Sequence, residues 1–561
     1  MSLGLDRRSL LAGVTAGGTA LSIASAVRTQ DSSGAFTQLI EAERAAIRTA
    51  MDEAEISSAA VCLLNEGEPV WIEGFGTGVT GAAVTGETLF SIQSTTKSMT
   101  AVAVLLAVQD GLLDLDAPIS DYLPDFKVNS RFEDRPQDRM SLRLLLANRA
   151  GFTHEAPVGN NYEPASSGFE AHVRSISDTW LRFPVGERYR YSNLGYDLAG
   201  YVLEKVTGRS YSRWLEQRLF APLGMNRSTA DPLRYTPESD RASGQHRGYS
   251  ATPLITPLIA SGGVWTSARD MAAYAAFHLS RGGAVLRPEL WRCMHAFEYG
   301  GDYGLGVMRT ERLYGSTPVR ILHHRGGGFG FGCNLVYCPE AGIGWAAMFN
   351  RPALAGYEFG AGLLDRLMTS RMGPRAARLP ERALAPISPA AAFRHAIVGR
   401  YVGRNVRIEI SEEAGQLRLA SPAGGTPMKL LTTAPDELFV AKPDGEMVSY
   451  RYHAATEGLP AHLECSEAEA SVDYNGGPGD PQGPGRAEWR RHVGRYRIDQ
   501  WGQPAMEVAV EQRRGHLYLD GVRLIIETQP GLFFTSDGET VDFRGSQPTW
   551  RNLILRRLQG E

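Results

Sequence analysis

The sequence predicts an α/β (α+β) protein in which one sheet is assembled from two distant chain segments and covered by helices, followed by two small all-β units. Strand-like stretches occur at both ends of residues 35–370 and helix-like stretches fill the middle, which favours a single antiparallel sheet with a largely helical insertion. An internal repeat after residue 390 predicts the β units. The 561 residues suffice for three or four domains of about 150 residues each.

The first 26 residues have the pattern of an export signal. Arg7 and Arg8 precede an uncharged run with several glycines that ends at Ala24-Ser25-Ala26, and this is typical of a twin-arginine (Tat-type) signal peptide. The run is short and glycine-rich for a membrane span. We therefore expect an exported protein, periplasmic or secreted, with no integral membrane segment after the signal is removed.

Composition argues against several classes of partner. Hydrophobic residues at 43% and charged residues at 21% are ordinary for a globular protein, and the net charge of −4 favours neither nucleic acid nor an anionic membrane surface. The cysteines show no metal-binding spacing and no disulfide framework, so we expect free thiols and neither a metal nor a cofactor. Cys333 and Cys338 should face opposite sides of a strand. The five cysteines are Cys62, Cys293, Cys333, Cys338 and Cys465.

Periodicity and turn residues predict the elements of residues 35–370. The first are a helix at 35–55 and two strands at 59–64 and 70–75, joined by a hairpin turn. Thr266 and Ser267 are candidate helix caps. The remaining predicted helices are 194–207, 211–223, 265–280 and 357–369, and the remaining strands are 319–323, 333–338 and 344–349.

The last third of the chain has a different organisation. Residues 371–390 are rich in Pro, Ala and Arg and are expected to form a linker. Val-Gly-Arg-Tyr at 398–401 recurs at 493–496, and three other short similarities follow at a comparable offset. The repeat predicts two barrel-like β units, at 391–472 and 489–561. The Gly/Pro-rich stretch 473–488 between them is either a plain linker or a loop that reaches over the active site of the first domain.

The segment Ser94-x-x-Lys97 is the first candidate for chemistry. Three residues are close to one helical turn, so both side chains share a face if a helix starts here. The segment that follows is apolar on every side and predicts a buried helix, whose N-terminal dipole favours a developing alkoxide. Desolvation would lower the pKa of Lys97 and suit it to proton transfer. Lys97 is one of only five lysines, and this is the only S-x-x-K in the chain.

Two further segments could supply a base and substrate-holding groups. Tyr191-Ser192-Asn193 offers a tyrosine for proton transfer and an amide that can bind a substrate carbonyl or the lysine. His324-Arg325-Gly326-Gly327 enters a strand, where glycines let a substrate lie against the strand edge and let backbone N–H groups point at an oxyanion. Either segment alone is explained as well by packing.

Together and in this order, the three segments resemble the serine β-lactamase and penicillin-binding-protein superfamily, in which S-x-x-K carries the nucleophile. The resemblance covers roughly residues 35–370 and implies a β-lactamase-like fold and acyl transfer. It also implies the roles of the site residues: Ser94 attacks a carbonyl, Lys97 and Tyr191 move protons, Asn193, His324 and Gly326 bind substrate, and the backbone N–H groups of Ser94 and Gly327 form the oxyanion hole. Further similar segments are Pro222-Leu223-Gly224-Met225, Ser261-Gly262-Gly263 and Met348-Phe349-Asn350.

The chain departs from the β-lactamases at the third segment, where they have Lys-Thr-Gly and this chain has His324-Arg325-Gly326. A substrate carboxylate thus loses its usual lysine, and Arg325 should point to the other face of the strand. With two β units, the pattern is closest to D-aminopeptidases and to β-lactamase-like (family VIII-type) esterases. We expect a serine hydrolase acting on a small molecule or short peptide, with D-amino-acid peptides or amides as one candidate class. The alternatives are a carboxylesterase and a slowly acylated penicillin- or peptidoglycan-binding protein. The oligomeric state is left open.

Overall fold

The structure is a computed structural model, and it describes most of the chain. The described residues are 18–160, 168–245, 253–299, 301–376, 386–402, 407–421, 425–435, 437–441, 447–455, 461–464, 470–472, 485–500, 503–513, 515–520, 523–535 and 537–558, with the backbone alone at 18–35. The start of the predicted signal, the middle of the predicted linker, Cys465 and residues 473–484 of the predicted loop lie outside these ranges.

One antiparallel sheet is assembled from both ends of the first 370 residues, as the sequence predicted. The strands of this part are β1 Ser58–Asn65, β2 Glu68–Gly76, β3 Phe90–Ser91, β4 Trp265–Thr266, β5 Met308–Tyr314, β6 Thr317–Gly328, β7 Phe331–Cys338 and β8 Ile343–Phe349. Six of them form the sheet in the order β2-β1-β8-β7-β6-β5, and β3 pairs with β4. Between β1 and β2, Glu66 and Gly67 both have positive φ, 56° and 84°, as a two-residue hairpin turn requires.

Helices cover both faces of this sheet. They are α1 Gly18–Glu53, α2 Thr96–Gln109, α3 Ile119–Tyr122, α4 Leu142–Leu146, α5 Phe169–Ser175, α6 Asn193–Thr207, α7 Tyr211–Leu215, α8 Ala221–Leu223, α9 Pro232–Tyr235, α10 Ile259–Gly262, α11 Ala268–Leu279, α12 Pro288–Met294, α13 Leu354–Tyr357 and α14 Ala361–Met372. Within the described part of the chain, no helix is long and apolar enough to span a membrane.

Several predicted helix bounds were wrong. The first helix begins at Gly18, well before residue 35, and no proline interrupts the residues between, although Ser32, Ser33 and Gly34 are poor helix formers. The predicted helix 265–280 begins only at Ala268, since Trp265 and Thr266 pair with β3; Ser267 is its cap and accepts a hydrogen bond from the Asp270 N–H at 3.2 Å. The predicted helix 211–223 is interrupted by one π-helical turn, and the predicted helix 357–369 is divided between α13 and α14.

The sheet separates two hydrophobic cores. One packs against α2 and the helical insertion, and the other lies under α1 and α14. Cys333 belongs to the first core and Cys338 to the second, as strand alternation predicted. Val102, Val104 and Leu105 are fully buried in α2, and each contributes roughly 1.5–3 kcal/mol of burial free energy. The helix that follows Ser94 is therefore firmly fixed.

Two all-β units follow, as the internal repeat predicted, and the described residues of each form a nine-stranded antiparallel sheet. After helix α15 Ala391–Ile397, the first β unit contains β9 Gly399–Val402, β10 Arg407–Glu413, β11 Gln416–Ala420, β12 Met428–Lys429, β13 Leu431–Ala434, β14 Glu437–Ala441, β15 Met447–His453, β16 His462–Glu464 and β17 Ala470–Val472. The second β unit contains β18 Gly494–Gln500, β19 Gln503–Arg513, β20 His516–Leu519, β21 Arg523–Gln529, β22 Leu532–Thr535, β23 Thr540–Asp542, β24 Thr549–Trp550, β25 Leu553–Ile554 and β26 Arg556–Arg557.

The repeat is visible in matching contacts of the two units. The repeated tyrosines both donate to the backbone carbonyl four residues before them: Tyr401 to Ile397 at 2.5 Å and Tyr496 to His492 at 2.7 Å. In the second unit the last strand, β26, returns to pair with the first, β18, which gives a nearly closed barrel. The exact boundaries of the units stay a prediction.

Candidate active site

Ser94 lies in a tight turn at the start of α2. It is the middle residue of a single 3₁₀ turn, Gln93–Thr95, that leads directly into the helix. Gln93 has a φ of 48°, a left-handed conformation that costs a residue with a side chain about 1–2 kcal/mol, and its side-chain amide donates to Ser91 Oγ at 2.7 Å. Ser94 is half-buried, whereas its neighbour Thr95 is fully buried. The turn thus leaves the Ser94 side chain partly accessible beside the buried Lys97.

Lys97 connects the segments that the sequence singled out. Its Nζ is 3.1 Å from Ser94 Oγ and donates to Asn193 Oδ1 and to the Ser261 carbonyl oxygen, both at 2.8 Å. These three partners match the three protons of an ammonium group. The side chain is fully buried, and this desolvation lowers the pKa of Lys97 to about 7. Lys97 can therefore gain or lose a proton near neutral pH.

Two buried carboxylates, Asp197 and Glu155, oppose that lowering of the Lys97 pKa. Asp197 accepts hydrogen bonds from the N–H groups of Ala260 and Ser261, at 3.0 and 2.9 Å, and from Ser261 Oγ at 2.7 Å. His172 Nε2 lies 3.2 Å from the same carboxylate. Asp197 therefore holds in place the residue whose carbonyl oxygen binds the lysine.

Tyr191 is surrounded by the other groups of the site. Lys97 Nζ is 4.8 Å from the centre of its ring, within the range of a cation–π contact. The His154 ring is stacked on it with centroids 6.0 Å apart, and the Tyr303 ring meets it edge-on at 6.2 Å. The His324 ring is 6.4 Å away. The orientation of the phenol is thus set by contacts on several sides.

His324 is buried and neutral. Its Nδ1 lies 2.8 Å from the Arg325 carbonyl oxygen and its Nε2 lies 3.3 Å from the Tyr303 hydroxyl. A carbonyl can only accept, so Nδ1 carries the proton and Nε2 is an acceptor. Burial, assisted by the charge of Lys97, lowers the pKa of His324 to about 3. The imidazole is therefore uncharged throughout the neutral range.

The glycines after His324 bring β6 against the Ser94 turn. A Cβ at Gly326 would collide with the Ile92 carbonyl oxygen and would lie 3.0 Å from the Ser94 backbone nitrogen. The β5–β6 pairing ends at His323, so this side of β6 has an open edge from 324 to 328 among the described strands. Such an edge can pair with an extended substrate and offer it N–H groups. The oxyanion hole of Ser94 and Gly327 stays a prediction.

Arg325 points away from this group, as strand alternation predicted, and His323 lies on the same face as Arg325. The Arg325 side chain is 55% exposed, and its nearest carboxylate is that of Glu358 at 3.8 Å. His323 Nε2 is 2.9 Å from Thr310 Oγ1 on the other face of the sheet. Among the residues that the structure describes, the third segment thus places a neutral histidine, His324, beside Tyr191 and directs no cation towards it.

Sequence analysis missed the supporting residues Asp197, His172, Glu155 and Tyr303. Asp197 could have been found, because it lies four residues after Asn193 on α6 and so shares its helix face. The others come from loops or separate helices whose convergence no local spacing predicts. No group of three or more His, Cys, Asp or Glu residues able to hold a metal ion occurs in the described ranges. The described cysteines, Cys62, Cys293, Cys333 and Cys338, are free thiols.

The chain is similar in sequence to several curated proteins. The chain is 26% identical over 355 residues to an unguisins hydrolase of Aspergillus campestris, covering 58% of this chain and 64% of that protein. It is 24% identical over 208 residues to protein flp of Staphylococcus aureus, covering 37% and 41%. The chain thus spans less than two thirds of the length of these curated relatives.

Solved structures show the same fold. A penicillin-binding protein homologue from Pyrococcus abyssi, described as octameric, superimposes with a TM-score of 0.51 at 22% identity, over 77% of this chain and 99% of that one. SurE in complex with D-Leu superimposes with a TM-score of 0.54 at 23% identity, over 78% and 100%. The β-lactamase family model matches residues 44–367, which contain the Ser94, Tyr191 and His324 segments. The chain therefore belongs to the β-lactamase family.

Proposed function

We propose that the protein is an exported serine hydrolase that cleaves amide or ester bonds through an acyl-enzyme on Ser94. The observation that carries this proposal is the contact of 3.1 Å between Ser94 Oγ and Lys97 Nζ, an amine whose pKa of about 7 leaves it substantially unprotonated at neutral pH. A serine becomes a nucleophile when such a base takes its proton. The intact set of Ser94, Lys97 and Tyr191 favours turnover over simple binding.

The chemical steps follow from the positions of these groups. As Ser94 Oγ attacks the substrate carbonyl carbon, its proton passes to neutral Lys97 or, with Lys97 as ammonium, to the Tyr191 phenolate. The same proton is then given to the leaving nitrogen or oxygen, and the C–N or C–O bond breaks. Water then attacks the acyl-enzyme carbonyl carbon and gives its proton to the same base, which returns the proton to Ser94 Oγ as the ester bond breaks and the carboxylic acid is released. Backbone N–H groups of Ser94 and Gly327 are proposed to stabilise the oxyanion.

The neutral third segment narrows the substrate class. With Arg325 turned away and His324 uncharged, a carboxylate beside the scissile bond would meet no cation there. Amides or short peptides of D-amino acids, with a free amino group on the acyl side, avoid this difficulty. The repeated β units support the same class, since they resemble the D-aminopeptidase architecture. The name of the unguisins hydrolase also indicates hydrolysis in a relative.

A carboxylesterase is the second candidate. The same observation favours it, because a simple ester carries no charge that the third segment would need to bind. Efficient penicillin hydrolysis is disfavoured for the complementary reason, since the β-lactam carboxylate lacks its lysine. A slowly acylated penicillin-binding protein would keep the same nucleophile but would form a stable acyl-enzyme.

The test uses the protein without residues 1–26 and three substrates: D-Ala-p-nitroanilide, a short-chain p-nitrophenyl ester and a fluorescent penicillin. Ser94→Ala is the matched control. Release of nitroaniline by the wild type and not by Ser94→Ala supports the D-aminopeptidase assignment, and turnover of the ester alone supports the esterase. If the penicillin labels the protein stoichiometrically and persistently without turnover, both enzyme assignments are wrong and the protein is a slowly acylated penicillin-binding protein. Full activity of Ser94→Ala would refute the assignment of Ser94 as the nucleophile.

Export is tested separately with the predicted signal, residues 1–26. A reporter fused after residue 26 should reach the periplasm or medium of a bacterium with a twin-arginine pathway. Replacement of Arg7 and Arg8 by lysine should leave the fusion in the cytoplasm. Equal export of both fusions would contradict a twin-arginine signal.

A further inference from the structure

The segment Thr153–Glu155 lies between Tyr191 and the second β unit. On one side, the His154 ring stacks on Tyr191 with an angle of 24° between the planes. His154 Nδ1 is 2.5 Å from Glu155 Oε1, and the Glu155 side chain is 1% exposed. The ring that covers one side of Tyr191 is therefore held by a buried carboxylate.

On its other side, the same segment is bonded to the second β unit. Thr153 Oγ1 donates to Glu539 Oε2 at 2.6 Å, and Asn552 Nδ2 donates to the Glu155 carbonyl oxygen at 2.8 Å. The Thr153 carbonyl oxygen also accepts a hydrogen bond from Ser192 Oγ at 2.6 Å, directly next to Tyr191. Residues almost 400 positions away in the sequence thus hold both the His154 backbone and the segment that contains Tyr191.

Buried charges fix this contact. Arg182, fully buried, lies 3.1 Å from Asp537 Oδ2 and 3.2 Å from Glu539 Oε1. Arg190, the residue before Tyr191, lies 3.7 Å from the same Asp537 oxygen. A Cβ at Gly538 would collide with the Arg182 carbonyl oxygen, so only glycine allows the turn to sit this close. Because separating such buried partners would leave uncompensated charges, these ion pairs hold the second β unit against the segments that carry Arg182 and Arg190.

We propose that the second β unit positions Tyr191 through His154, which makes His154 a positioning residue for proton transfer. This rests on the proposed function, in which Tyr191 exchanges protons with Ser94. The Glu155 carboxylate holds His154, and Glu539 and Asn552 hold the segment that carries both. The β unit thereby acts on the rate of the chemical steps, without contacting the reacting atoms.

The experiment measures kcat and KM on whichever chromogenic substrate the wild type cleaves. His154→Ala should lower kcat roughly 10- to 100-fold with KM within about twofold, the range expected when a catalytic group is displaced by about 1 Å. His154→Phe keeps a flat ring over Tyr191 and should recover part of the loss. Glu539→Gln should lower kcat in the same direction.

The double variant His154→Ala/Glu539→Gln distinguishes positioning from general damage. If Glu539 acts through His154, the double variant should be hardly slower than His154→Ala alone, because the two losses share one path. The matched control is Ser449→Ala, which removes the 3.2 Å hydrogen bond of the first β unit to Asp302; it should leave kcat unchanged. Independent, multiplying losses in the double variant would overturn the proposal.

Two further variants keep the result interpretable. If Glu539→Gln does not fold, Asn552→Gly replaces it in the cycle; Asn552 has a φ of 64°, so glycine keeps the backbone and removes only the bond to Glu155. Tyr191→Phe separates the two levels of the proposal. If Tyr191→Phe keeps full kcat, the proposed role of Tyr191 in proton transfer is wrong; if Tyr191→Phe is slow and His154→Ala is not, the positioning role alone is wrong.

Discussion

Replacement of Lys97 by methionine should change how stability depends on pH. Burial lowers the pKa of Lys97 from 10.5 to about 7, a shift that corresponds to a cost of about 5 kcal/mol for the charged form in the folded protein. Between pH 7 and 10.5 the unfolded chain holds a proton that the folded protein lacks, so the free energy of unfolding rises with pH across this interval. Below pH 7 both states are protonated and the full penalty applies.

The size of the effect follows from the two pKa values. From pH 7 to pH 9 the wild type should gain about 2 kcal/mol of stability that Lys97→Met does not gain, because at pH 7 the native lysine is still half protonated. Methionine also removes the bonds to Asn193 and Ser261, but that loss is equal at both pH values and cancels in the difference. The measurement is urea unfolding of both proteins at pH 7 and pH 9, followed by tryptophan fluorescence.

A surface lysine provides the control. Lys205, in the last turn of α6, is 46% exposed and its pKa is raised above 10.5, so it does not titrate between pH 7 and 9. Lys205→Met should therefore follow the wild type in parallel. If the Lys97→Met and wild-type curves also stay parallel within about 0.5 kcal/mol, Lys97 is not desolvated as the structure indicates, and its role as a neutral base loses its physical basis.

Three other changes test separate parts of the site. Asp197→Asn removes an anion near Lys97, so the Lys97 pKa should fall and the acidic limb of the kcat/KM profile should move to lower pH; an unmoved limb would mean that Asp197 is only structural. Gly326→Ala should lower kcat roughly 100-fold by displacing β6 from Ser94, whereas Gly362→Ala, where no atom lies closer than 4.0 Å, should not; equal kcat for both would contradict the close approach. Arg325→Ala should leave kcat/KM within about twofold, and a larger loss would show that its guanidinium reaches the substrate.

The parts of the site that the sequence could predict are those set by local geometry. Ser94 and Lys97 are three residues apart at the start of a helix, and this spacing places their side chains on one face, where Ser94 Oγ and Lys97 Nζ are 3.1 Å apart. Alternation along a strand likewise separated His324 from Arg325. The assembly of one sheet from both ends of residues 35–370 also followed from the positions of the strand patterns in the sequence, whereas the order of its strands did not.

The parts that it could not predict depend on contacts between distant segments. Glu155 and Tyr303 come from loops without a regular period, and their approach to Lys97 and His324 is decided by the packing of the whole insertion. The bonds of Glu539 and Asn552 to Thr153–Glu155 have no counterpart in any local pattern. Local rules also failed at the bounds of helices, where pairing of Trp265 with β3 overrides helix propensity.

The apolar character of α2 explains why these distant residues converge on Lys97. A helix buried on all sides fixes Ser94 firmly, but it also places a lysine where water cannot solvate its charge. The protein compensates with the Ser261 carbonyl and the Asn193 amide and keeps two carboxylates nearby, yet the pKa of Lys97 still falls to about 7. A more polar helix would leave the lysine at its ordinary pKa, and Lys97 could not then accept the Ser94 proton at neutral pH. The burial that stabilises the fold therefore also makes the serine reactive, and the surrounding polar groups keep the cost of that burial small enough for the lysine to remain.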